Sequence, residues 1–150
     1  MVPTQDTNQI DPPLTVSGVE QAKKTGQFLK RYFKDYGFQF EKIIIKSSPF
    51  IRCIMTAAAV AAELEQSEVH IEPIASEILL PKMFTSNPIP LLELAQCKDI
   101  AALKTKYQIP QGVNIVGYEN FVPEISRTYP ESKDRGMIRA FFAQDKVLTS

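Results

Sequence analysis

The sequence predicts an α/β fold, a mainly parallel sheet flanked by helices, and three observations carry that expectation. Ile43-Ile44-Ile45 is a continuous β-branched run of the kind found in a strand covered on both faces. An alanine-rich helical stretch follows from Phe50 to Glu65, and Val69 to Ile74 then alternates as a second strand. Strand, helix and strand in such close succession form a βαβ unit, which requires a parallel pair. At 150 residues and 44% hydrophobic content the chain is one ordinary domain, able to build a core without disulfides or metals.

The elements follow in order. Residues 1–13 are polar and end in Asp11-Pro12-Pro13, which cannot lie inside a helix because each proline removes a donor and restricts its predecessor. From Leu14, the residues Val19, Ala22, Gly26, Leu29 and Phe33 recur at steps of three and four as one helical stripe. Thr15 or Ser17 caps it; Ser17 and Glu20 have capping-box spacing, Lys30, Arg31 and Lys34 suit its negative end, and it ends near Gly37. The strand expected over Phe40 to Lys46 is stopped by Ser47-Ser48-Pro49, and the next helix starts at or just after that proline.

Between Leu80 and Pro130, prolines at 81, 88, 90, 110, 123 and 130 interrupt the chain, leaving one convincing short helix around Lys98 to Tyr107. The expectation for 80–129 is a lid or excursion outside the core. Glu131-Ser132 then opens a helix to about Gln144 with Met137, Ile138, Phe141 and Phe142 turned inward, and Val147-Leu148 has the look of a strand just begun.

Composition narrows the chemistry. Seventeen Lys plus Arg balance seventeen Asp plus Glu, so no overall field draws the chain to nucleic acid or to an anionic membrane, and neither is expected as a partner. No stretch approaches a membrane span, and Cys53 and Cys97 form neither a disulfide framework nor a zinc motif. A soluble, cytoplasmic protein without metal or cofactor is the expectation. His70 is the single histidine, so any mechanism needing a histidine pair has to do without one in this chain.

The most informative segment is Ile43 to Arg52. A strand running through Ser-Ser-Pro into a helix puts hydroxyls, free N–H groups and the positive helix end at the carboxyl edge of a parallel sheet, where anions bind. Arg52 offers a planar fork for two phosphate oxygens. The other reading is that Ser47 and Ser48 only cap and turn while Arg52 pairs with a surface carboxylate. Cys53 reads as a small buried residue, His70 as a surface or hydrogen-bonded strand residue, and the scattered Tyr107, Tyr118, Phe121 and Tyr129 as packing.

Asp11-Pro12-Pro13-Leu14-Thr15-x-x-Gly18-x-x-Gln21-Ala22 and Ile45-x-Ser47-Ser48-Pro49-x-x-Arg52-x-x-x-Thr56-Ala57 resemble the two leading helical motifs of the histidine phosphatase superfamily, the phosphoglycerate-mutase-like proteins. Glu77 stands where that family has an acidic residue ahead of its excursion, and Glu131-Ser132 with Arg139 resembles its E-S helix. The resemblance spans residues 11–79 and 130–150, with 80–129 as an insertion.

What the resemblance implies is metal-free hydrolysis or transfer of a phosphate monoester through a phosphohistidine, with Arg52 as phosphate clamp, Ser48 beside it and Glu77 as the catalytic proton donor. Thr15 is peripheral. The family's R-H-G nucleophile and second histidine have no counterpart here, so the fold is expected to be incomplete at both ends and this chain inactive alone. The partner expected is a phosphorylated small molecule or phosphoprotein, with a homodimer or larger assembly covering exposed sheet edges. The alternative is a non-catalytic phospho-ligand-binding or structural subunit.

Overall fold

The computed structural model describes residues 10–119 and 129–149, with side chains as far as Phe141. In chain order it comprises α1 (Val16–Asp35), β1 (Lys46–Ser47), α2 (Ile51–Glu63), β2 (Glu68–Ile71), 3-10 turns at Pro73–Ala75 and Ile89–Leu91, α3 (Ile100–Lys106), β3 (Asn114–Val116) and α4 (Lys133–Thr149). The strands form one parallel sheet in the order β1-β2-β3. Lys46 pairs with His70 across one seam and Val69 with Ile115 across the other.

Helix α1 forms as its stripe requires. The Thr15 hydroxyl accepts from the Gly18 N–H at 3.1 Å and caps the helix, so the Ser17–Glu20 box goes unused and Glu20 pairs with Lys23 instead. At the other end Gly37 takes φ +67°, while the Phe38 N–H bonds to the Phe33 carbonyl and the Gly37 N–H to that of Lys34, a Schellman stop. Ala22 and Gly26 are buried against α2, where Gly26 lies so close that an added Cβ would fall 2.7 Å from Glu63 Cβ.

Four expectations are corrected. The triple-isoleucine run is not a strand covered on both faces: only Lys46–Ser47 is strand and Ile44 is exposed. Here β1 is an edge of the described sheet, so isoleucines ahead of it have a partner on one side at most, as when the Ile45 carbonyl accepts from the His70 N–H at 2.9 Å.

Segment 80–119 is not an excursion. Ile89, Leu92, Leu94, Leu103, Ile109 and Val113 are all buried in the one core with Phe50, Ile54 and Val69, and β3 extends the sheet. Proline-bounded turns of three residues present single apolar side chains inward without helical or strand periodicity, so no pattern announces them.

Val147-Leu148 continues α4 rather than starting a strand, since no Gly or Pro follows Gly136 to break the helix. Finally, Met137, Ile138 and Phe141 face outward, and the side chain of Phe142 lies outside the described residues. The face that α4 turns inward carries Gly136 and Arg139.

Gly136 sits on Ile78, and a Cβ there would come within 2.3 Å of Ile78 Cγ2. Gly136→Ala is therefore expected to destabilise the fold by roughly 1–3 kcal/mol despite alanine's better helix propensity, with part recovered by adding Ile78→Ala. Chemical denaturation of the parent and the two variants checks this.

Candidate functional site

Because the sheet is parallel, the carboxyl ends of β1 and β2 open on the same rim. From that rim the chain continues through Ser48-Pro49-Phe50 into α2, and from β2 through the turn at Pro73–Ala75 to Glu77. Arg52, in the first turn of α2, meets Glu77 there: its Nη2 donates to Glu77 Oε2. Both side chains are about one-third exposed, and the guanidinium also lies 4.7 Å from the centroid of the Phe50 ring. Two sequence-predicted site residues are thus brought into contact. The rest of the Arg52 fork makes no other hydrogen bond among the described residues.

The first turn of α2 is capped from a distance. Phe50 supplies no side-chain cap; Asp11 Oδ1 instead accepts from the Ile51 N–H at 2.8 Å and Oδ2 from the Glu93 N–H at 3.1 Å. Neither serine caps this helix: the Ser47 hydroxyl donates to the Ser48 carbonyl at 2.9 Å, and Ser48 Oγ, beside the Cys53 thiol, makes no well-formed hydrogen bond. The sequence signal for this role of Asp11 lies in the two prolines that follow it. Pro12 and Pro13 have no N–H, so the carboxylate is denied local donors and must find distant ones.

Burial pushes the Asp11 carboxyl up from 3.8 to about 6, against the pull of the two N–H groups and the nearby Arg52 charge. The same burial raises the Cys53 thiol, with Arg52 and Ser48 opposing it, so this cysteine is no activated nucleophile. His70 lies in β2 and leans back along the strand, its Nε2 3.2 Å from Glu68 Oε2. It does not join Arg52 and Glu77.

The position of Glu77 is set by Arg139, from α4. Arg139 Nε donates to Glu131 Oε1 at 2.7 Å and Nη2 to Oε2 at 2.8 Å, a bidentate pair buried to 10% and 3% side-chain exposure. Nη1 donates to the carbonyls of Ile74 and Ser76, and Nη2 also to that of Glu77. All five guanidinium N–H groups are thereby used. Glu131 Oε2 further accepts from the Leu79 N–H, so the loop 74–79 is gripped at both ends. Ser76 Oγ, also buried, has no hydrogen-bond partner. Burial alone would raise the Glu131 carboxyl, but Arg139 and the Leu79 N–H hold it below its ordinary value.

Two outcomes are expected. Between its ordinary value of 3.8 and about 6, Asp11 is protonated in the folded state more than in the unfolded, so its contribution to stability falls as pH rises through that window and is level above it. Asp11→Asn lacks that slope and forfeits the Glu93 bond, at about 1–3 kcal/mol near neutral pH; denaturation midpoints across the window, taken against the parent, measure both. Arg139→Met leaves Glu131 buried and unpaired and costs about 3–5 kcal/mol, and Glu131→Met in the same chain recovers much of it.

A scan of protein-family models matches residues 4–111 to the histidine phosphatase superfamily (branch 1). The match runs on across 80–111, where the sequence motifs had suggested an insertion. No curated protein and no solved structure gives a significant match.

Proposed function

The chain belongs to the histidine phosphatase superfamily, and from that premise we propose that its rim captures phosphate monoesters, the substrates of a hydrolysis or transfer reaction. The observation that carries this reading is the Arg52–Glu77 contact: a guanidinium with open donors and a carboxyl group share one partly exposed site at the carboxyl edge of a parallel sheet.

On this reading the pair gives one site the means to hold a dianion and, where a nucleophile is at hand, to protonate the leaving group. A phosphate dianion competes with Glu77 for the Arg52 fork, because planar bidentate contacts to two phosphate oxygens replace a single carboxylate contact. Once displaced, Glu77 is left beside the bound ester. A protonated carboxyl beside the ester oxygen is the arrangement a general acid needs when the leaving group departs. The Ser48 hydroxyl, in the turn ahead of Arg52, is buried and makes no well-formed hydrogen bond among the described residues.

Covalent catalysis is a different matter. Its only candidate imidazole here, His70, is engaged with Glu68 on the strand and not at the clamp. The reading for this 150-residue chain is therefore phosphate binding without turnover.

Titration with inorganic phosphate and tungstate by calorimetry tests the clamp. Arg52→Ala should weaken binding by about tenfold or more, whereas Glu77→Gln, which removes the competing charge, should leave it unchanged or tighter. Equal binding by the parent and Arg52→Ala overturns the proposal. The chain is expected to leave p-nitrophenyl phosphate unhydrolysed, and metal-independent hydrolysis lost in Arg52→Ala would show instead that it carries its own nucleophile.

A further inference from the structure

The exposed side of α1 carries two adjoining stripes that the phosphate site does not use. Phe28, Tyr32 and Tyr36 follow one another at four-residue steps, and Phe38 and Phe40 extend the row past the helix end. The rings touch in sequence: Phe28 to Tyr32 at 5.9 Å between centroids, Tyr32 to Tyr36 at 4.5 Å, Tyr32 to Phe38 at 6.0 Å and Phe38 to Phe40 at 5.8 Å. They are nonetheless 39–70% exposed, which makes a contiguous apolar surface rather than scattered residues.

Beside them runs a basic stripe. Between Gln21 and Lys34 the chain has five cations, Lys23, Lys24, Lys30, Arg31 and Lys34, and no acidic residue. Lys24, Lys30, Arg31 and Lys34 line one shallow cleft with Gln27. Lys23 is paired with Glu20 and Lys30 with Glu65, while Lys24, Arg31 and Lys34 make no ion pair among the described residues.

We propose that this face of α1 binds an anionic lipid surface, with the aromatic row seated at the headgroup boundary and the basic stripe against the headgroups. A cluster of four to eight Lys and Arg on an amphipathic helix is the pattern that anionic leaflets attract, and Phe and Tyr are side chains that settle at the interface. Charge argues against a second copy, since a symmetric contact would set cations on cations. It also argues for an acidic counterpart, but lysine, four of the five cations, is depleted from protein interfaces. Single-stranded nucleic acid would need rings that stand apart to take bases; here Phe38 and Phe40 lie parallel to within 7° with centroids 5.8 Å apart, too close to admit a base between them. No helix among the described residues is long and apolar enough to cross a membrane, so the attachment is peripheral. The neutral total charge had suggested no membrane partner; a sum over the whole chain conceals charge segregated on one helix.

The test is co-sedimentation of the chain with phosphatidylcholine vesicles containing about a third phosphatidylserine, in about 0.1 M salt. Binding is expected at least about tenfold tighter than to phosphatidylcholine alone, and weakened by added salt. Phe38→Ser with Phe40→Ser, and separately Lys24→Glu with Arg31→Glu and Lys34→Glu, should each abolish it while far-UV circular dichroism stays unchanged. All five positions are solvent-facing and outside the phosphate site, so phosphate binding should persist in both variants. Absence of vesicle binding, equal binding to neutral vesicles, or unaltered binding by folded variants overturns the proposal, as does binding of oligothymidylate or poly-glutamate in place of vesicles.

Discussion

The buried Arg139–Glu131 pair holds the rest of the site in place. A guanidinium taken out of water is tolerable only when every N–H finds an acceptor, and this one finds three backbone carbonyls and two carboxylate oxygens. The three carbonyls belong to one short loop, so satisfying the arginine fixes the course of residues 74–77. Glu77 is the last of them, and its side chain meets Arg52. An interaction that looks like a device for docking a helix therefore also sets the distance between the Glu77 carboxyl group and the Arg52 guanidinium.

A second buried carboxylate acts on the other side of Arg52. Asp11 fills the N-terminus of α2 and at the same time ties the loop at Glu93 to it, joining three parts of the chain that are far apart in sequence. The positive end of α2 is thus partly neutralised by the protein itself. Arg52 lies within the electrostatic reach of Asp11 and in contact with Glu77.

Much of this was legible in the residues. The stripe from Val19 to Phe33 specifies α1, the βαβ spacing specifies the parallel pair, and Arg52 and Glu77 both stand in motifs that the fold brings into contact. Asp11 was read as part of a motif without its role, although two following prolines leave its carboxylate no local partner. The failures share one cause. Periodicity reports which face of a regular element is apolar, and it is silent where single residues such as Ile89, Leu92 and Ile109 reach the core from short turns.

On its own, then, the order of residues decided what local rules govern: where helices start and stop, which stripe of α1 is apolar, and that two strands run parallel. It also marked which chemical groups lie at the sheet rim. Tertiary packing decided the rest, because it depends on groups distant in sequence. An edge position left Ile44 exposed, a glycine seated on Ile78 turned the apolar residues of α4 outward, and a buried arginine that needed five acceptors drew one loop around itself. Such requirements are met across space, and no window along the chain contains both partners.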